Sequence, residues 1–164
     1  MNLDQLSEYP ILVVTGPEST GKTTLAEKIA LESNRLLVPE YAREYLYPLK
    51  RKYDFFDLRK IAEVQNQNET QALKESKTIV CDTDLITIDI WALEKFDTSL
   101  NIDLPHADQK YYLLCKPDIA WEEDPLRENP LDRDRLFDVY EQYLRGINLP
   151  FAVVEGEGEE RYCL

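Results

Sequence analysis

With 164 residues, the chain is long enough for one domain that buries most of its apolar surface. Its 43% hydrophobic and 31% charged residues exclude a disordered chain, and no apolar run approaches the length of a membrane span. Nineteen Lys+Arg against 32 Asp+Glu leave a net charge of −13, which repels phosphate backbones and anionic lipid, so neither nucleic acid nor membrane is an expected partner.

Along the chain, short apolar runs alternate with helical patterns. Residues 11–15 (ILVVT) read as a buried strand between Pro10 and Gly16. A helix is expected over 23–33, with Leu25, Ile29 and Ala30 at helical spacing, followed by a short strand at 36–38 ended by Pro39. Residues 40–52 read as a helix broken or kinked at Pro48, and 55–76 as the longest helix. A third strand is expected at 78–81 and a helix from 85 to about 95. An irregular polar stretch then leads to a fourth strand at 111–115. Residues 116–131 carry Pro117, Pro125 and Pro130 and many charges, the pattern of a long functional loop. A helix at 132–145 and a fifth strand at 151–154 complete the order. Strands alternating with helices imply an α/β fold, a parallel five-stranded sheet with helices on both faces, in one domain spanning 1–164. Ligands of such sheets bind beyond the carboxyl ends of the strands.

Residues 16–23 (GPESTGKT) match G-x-x-x-x-G-K-[ST] between a strand and a helix, the context this motif requires. Gly16 and Gly21 let the backbone curl until the amides from Glu18 through Thr24, with Ser19 and Thr20 between, face an oxyanion at a helix N-terminus. Lys22 brings a mobile cation to the β- and γ-phosphates, and the Thr23 hydroxyl suits Mg²⁺. ATP and Mg²⁺ are therefore the expected cofactors.

Further candidates follow the strands. Asp82 ends the third strand, where a carboxylate can hold the metal, although aspartate also favours turns and caps. Asp84 either faces an acceptor substrate or caps the next helix. Glu40, directly after the second strand, suits a base for an acceptor hydroxyl; it could equally be a first-turn glutamate paired with Arg43. Arg127 and Arg133, in an expected lid at about 117–133, would bring positive charge over the transferring group; otherwise this is a solvated charged loop. Trp121, in that polar loop, could stack on a planar ring, whereas Trp91 reads as core and His106 receives no role. Cys81, Cys115 and Cys163 are scattered and without a CxxC pair. With no N-terminal leader pattern, they fit a reducing compartment and a cytoplasmic location, and Cys81 and Cys115 read as core filling.

Five segments together resemble the ribosylnicotinamide kinase domain of the NadR type, within the wider family of small P-loop ATPases and kinases. They are GPESTGKTTL (16–25), PEYAREYL (39–46), DLRKIAEVQNQNE (57–69), CDTDLIT (81–87) and the loop running from DIAWEEDPLR to DRDRLF (118–137). The resemblance implies a nucleoside-kinase-like P-loop NTPase fold with an arginine-bearing lid. It also implies transfer of the γ-phosphate of ATP to the 5′-hydroxyl of nicotinamide riboside. Carried over by position, Lys22, Glu40, Arg127 and Arg133 are catalytic, and Thr23 and Asp82 serve the metal. Glu40, Tyr41, Arg43, Asp84 and Trp121 serve a nucleoside-like small-molecule substrate. Pro39 stands where some relatives carry an aromatic residue. Residues 155–158 are expected beside the adenine, with any closing helix short or missing. No H-x-G-H motif occurs and only nine residues precede Pro10, so neither adenylyl transfer nor the DNA-binding helices of the full regulator are expected.

Overall fold

In the computed structural model, which describes residues 6–158 and 161, β1 (Ile11–Thr15) forms the centre of a parallel sheet. It pairs on one side with β3 (Ile79–Asp82) and on the other with β4 (Lys110–Cys115). β2 (Leu36–Val38) flanks β3 and β5 (Phe151–Val154) flanks β4, giving the order β2-β3-β1-β4-β5. β1 is apolar at both alternating sets of positions because both faces of the sheet are covered. Leu12 and Val14 meet Leu25, Ala26 and Ile29 of α1 (Lys22–Ser33). Ile11 and Val13 face the opposite core, which contains Ile86 and Ile90 of α4 (Leu85–Phe96) and Tyr140 and Leu144 of α5 (Arg133–Gly146).

The remaining helices, α2 (Tyr41–Leu46) and α3 (Phe55–Glu75), pack with α4 in a separate cluster around Leu58, Ile61 and Ile88. α2 is shorter than the 40–52 reading because it stops before Pro48, which has no amide to donate. α3 begins where a capping box sets it: Asp54 accepts from the amides of Phe56 and Asp57, and Asp57 Oδ2 accepts from the Asp54 amide at 2.8 Å. Cys81 and Cys115 are fully buried, as core filling requires. Cys163 and most of the segment after Gly158 lie outside the described residues. Among the described residues, no helix is long and apolar enough to cross a membrane.

Candidate active site

The segments that follow β1, β2 and β4 converge on one cleft of about 550 Å³. At the end of β1 the chain turns through Gly16, whose φ of 132° is open to glycine but not to L side chains. A Cβ there would lie 2.7 Å from the carbonyl oxygen of Cys115, so the turn also needs the missing side chain. Ser19 and Gly21 have φ values of 53° and 70°, and Gly21 is the N-cap of α1. The loop thus presents the amino end of a helix to the cleft, an arrangement that favours an anion.

Residues 17–24 line this cleft, together with Glu40, Arg43 and Arg127. Lys22 Nζ donates to the Pro17 carbonyl at 2.6 Å, folded back over the loop. Thr23 Oγ1 donates to Asp82 Oδ2 at 2.7 Å, joining the start of α1 to the end of β3. Asp82 Oδ1 is buried without a hydrogen-bond partner. Burial raises the Asp82 pKa, while the bond from Thr23 and the charge of Lys22 pull it down. An unpaired buried carboxylate oxygen beside a hydroxyl is a hard oxygen donor set, which fits Mg²⁺.

Glu40 stands at the N-cap position of α2 without a capping hydrogen bond from its side chain, and its pKa is raised, first by burial and then by Asp82 and Asp124; Lys22 and Arg43 oppose the rise. Arg43 lies 4.0 Å from Glu40 but 2.6 Å from Asp124, so its charge is mostly engaged elsewhere. A partly compensated buried carboxylate has high proton affinity, the property a general base needs.

The 116–132 segment lies against the phosphate loop. Ser19 Oγ accepts from the Glu122 amide at 2.9 Å and from Arg127 Nη1 at 3.2 Å. Glu18 accepts from the amides of Glu128 and Asn129 at 2.9 and 3.0 Å. Arg133, at the start of α5, donates to the carbonyls of Ser19 and Ile119 at 2.9 and 3.0 Å; it braces the loop and does not line the cleft.

Three expected substrate contacts are placed elsewhere. Asp84 is fully buried: its Oδ2 accepts from Tyr112 Oη at 2.7 Å and from Lys110 Nζ at 3.1 Å, and its Oδ1 caps α4 through the Ile86 amide at 3.0 Å. The cause is local. Thr83 sits at φ 67°, rare for a β-branched residue, and this breaks the alternation that would have put Asp84 on the same side as Asp82. The cap reading of Asp84 therefore holds and the acceptor reading does not. Tyr41 faces an outer hollow with Tyr47 and Asn68, separated from the phosphate loop by Glu40. Trp121 lies under Arg127 and Arg133, 5.9 and 5.7 Å from its ring, where it supports guanidinium groups instead of lining the cleft.

The cleft also contains residues with no assigned role in the sequence reading. Tyr53, Trp91 and Tyr140 line its inner end. Arg161 is almost fully buried and bonds the carbonyls of Thr20 and Lys116 at 2.8 and 2.7 Å and Asp118 Oδ1 at 2.6 Å. Its acidic neighbours in sequence gave no sign of this. Trp91 had a readable signal, its i,i+4 spacing from Thr87, which bonds the Thr15 hydroxyl at the end of β1.

A strand, a glycine-cornered loop and a helix, tied to the end of a neighbouring parallel strand by Thr23 and Asp82, define a P-loop domain. A sequence model of the AAA domain family matches residues 11–161, and the chain belongs to that family. In structure it is similar to a NadR protein in complex with NR, at 21% identity and a TM-score of 0.73; the match covers 94% of this chain and 49% of that one. A NadR protein in complex with NAD and AMP-PNP matches at 20% identity and TM-score 0.68, covering 94% and 47%. Deoxyadenosine kinase from M. mycoides with bound dATP matches at 14% identity and TM-score 0.64, covering 93% and 95%. The chain therefore spans about half the length of the NadR chains it matches. No curated protein sequence matches it.

Proposed function

We propose that this chain is an ATP-dependent kinase acting on a small nucleoside-like alcohol in the cytoplasm, with nicotinamide riboside the first acceptor to test and nicotinamide mononucleotide the product. The observation that carries the reading is a largely buried, proton-avid Glu40 in the cleft lined by the Lys22 loop and by Thr23, whose hydroxyl bonds Asp82. A switch that only senses ATP has no need of such a base. The phosphates would lie on the amides of residues 17–24 with Lys22 beside them. Thr23 and Asp82 would hold Mg²⁺, which supplies positive charge to the phosphate oxygens when bound. As the acceptor oxygen bonds to the γ-phosphorus and the bond to the ADP oxygen breaks, the hydroxyl proton passes to Glu40. Arg127, over the loop, adds charge on the phosphoryl side, and the segment that carries it acts as a lid.

Acceptor-side cations favour an unphosphorylated acceptor. Arg43 is paired with Asp124, Lys95 with Glu128 at 2.9 Å, and Arg135 with Asp132 at 2.7 Å and with Glu94. None of these is left to bind an acceptor phosphate. The length match to deoxyadenosine kinase supports a different nucleoside as the second reading. Incubation with ATP, Mg²⁺ and a panel of nicotinamide riboside, adenosine, deoxyadenosine and thymidine, with product mass measured, tests both. A product 80 mass units heavier than its nucleoside supports the kinase reading. Tight ATP binding with no product from any nucleoside would replace it with a regulatory switch.

A further inference from the structure

Apart from the phosphate loop, the cleft has an apolar and aromatic wall, the inner lobe, made by Ala42, Leu46, Tyr53, Trp91, Leu126 and Tyr140. Glu94, Lys95, Glu128 and Arg135 also line the cleft. Two helices fix its back. Thr87 of α4 bonds Thr15 Oγ1 at 3.0 Å, which holds that face of the helix against the end of β1, and Trp91 follows one turn later on the same face. Trp91 is only half-buried, so part of its ring remains free. From α5, Tyr140 reaches the same wall with 1% of its surface exposed. Its hydroxyl makes no hydrogen bond among the described residues, so its donor capacity is unspent.

The surroundings say what that hydroxyl offers. Burial raises its pKa, and the charges of Glu40 and Glu18 raise it further, with Thr87 and Trp91 moderating the rise. It therefore remains a protonated donor, close enough to the catalytic carboxylate and the phosphate loop to feel both. An unused donor beside a partly free indole is a matched pair for a ligand with one flat ring and one polar acceptor atom. Among the described residues the lobe has no free cation, since Lys95 is held by Glu128 and lies 3.5 Å above the Tyr53 ring, and Arg135 is held by Asp132 and Glu94.

Building on the kinase reading, we propose that this lobe is the acceptor-ring subsite: Trp91 lies against a planar, unphosphorylated heterocycle, and Tyr140 Oη donates a hydrogen bond to a polar atom of the acceptor. This assigns to α4 and α5 the recognition that the sequence suggested for Tyr41 and Trp121. The class of ligand is a nucleoside with a neutral or cationic ring. The stack tolerates either, and a cationic ring gains from the indole face.

The chain has two tryptophans, so intrinsic fluorescence reports on the lobe independently of turnover. Titration with nicotinamide riboside and with adenosine is expected to give a saturable change that survives Trp121→Phe and vanishes in Trp91→Phe. In steady-state assays, Tyr140→Phe is expected to lower kcat/KM for the nucleoside roughly 3- to 10-fold with the KM for ATP unchanged. Trp91→Leu should lower it at least about fivefold, mainly through a higher KM for the nucleoside, and Trp91→Phe should recover part of that loss, a rescue that a general packing defect would not produce. If wild-type protein phosphorylates a nucleoside while Trp91 is silent and Tyr140→Phe keeps its acceptor KM, the subsite is overturned and the kinase reading stands. A saturable Trp91 signal without turnover upholds the ring subsite and overturns the kinase reading. Neither signal nor turnover with any nucleoside overturns both.

Discussion

Replacing Glu40 with Gln removes a charge from a cleft carboxylate whose ionised form burial disfavours, while keeping its shape. Its ionised form is disfavoured by burial and by Asp82 and Asp124, and only Lys22 and the distant side of Arg43 support it. Positioned general bases contribute about 10²- to 10⁴-fold, so Glu40→Gln is expected to lower kcat by that range at neutral pH. Among the described residues no hydrogen bond or ion pair joins Glu40 to the phosphate loop, so ATP affinity, measured by calorimetry, should stay within about twofold, which is less than ~0.5 kcal/mol. The pH profile supplies an independent check. Because the folded-state pKa of Glu40 lies above its unfolded value, the acid limb of kcat/KM should fall above the ordinary carboxylate range and disappear in the variant.

Stability moves in the opposite direction. A raised carboxylate pKa favours the fold at pH below its unfolded value, and that advantage is lost as pH rises through the folded pKa. In urea titrations without nucleotide, Glu40→Gln is therefore expected to be more stable than wild type near pH 8, with the difference shrinking toward pH 4. An active, pH-sensitive Glu40→Gln enzyme would refute the base assignment, and a variant less stable at pH 8 would refute the reading of Glu40 as an undercompensated buried acid.

Four other expectations follow from the same geometry. Gly16→Ala places a Cβ 2.7 Å from the Cys115 carbonyl at a φ of 132°, and should lower stability by about 1–3 kcal/mol and weaken ATP binding, read by denaturation and calorimetry. Thr23→Val leaves both oxygens of Asp82 without a donor; a loss of about 1–3 kcal/mol and a higher Mg²⁺ requirement for ATP binding are expected. Lys110→Met strips Glu69 and Asp84 of their shared cation, for about 3–5 kcal/mol, and the triple change with Glu69→Gln and Asp84→Asn should recover much of it in the same urea assay. Arg133→Ala frees the Ser19 and Ile119 carbonyls and should raise the KM for ATP more than that of the acceptor.

What the sequence revealed and what it hid divide along a physical line. β1 was legible because both its faces are buried, so five consecutive apolar residues stood between a proline and a glycine. The phosphate loop was legible because its residue types are fixed by a backbone shape: no side chain fits at Gly16 against Cys115. Asp82 was placed by its position after a strand, and the start of α3 by the local chemistry of Asp54 and Asp57. Each of these signals is local, or depends on a rule about strand ends.

The residues that went unread or were misread depend instead on partners far along the chain. Lys110 lies where a strand meets the interior, and nothing nearby announces that Glu69, 41 residues away, and Asp84, 26 residues away, share its ammonium. Its pKa, pushed up to about 12 by those two carboxylates despite burial, shows that the charge is kept there by pairing. Asp84 was drawn toward the substrate by its spacing from Asp82, but one left-handed residue between them was enough to send it inward. Trp121 and Trp91 exchanged places for a related reason. A tryptophan in a polar loop looks available until Arg127 and Arg133 cover it, and one in an apolar helix looks like core until its face turns out to end at a cleft. Residue type and spacing thus locate where phosphate chemistry can occur, because that depends on backbone shape. The proposed acceptor wall draws on α2, α4 and α5 and the segment before α5, which meet only in the fold. In that proposal the identity of the acceptor depends on the aromatic wall more than on the phosphate loop.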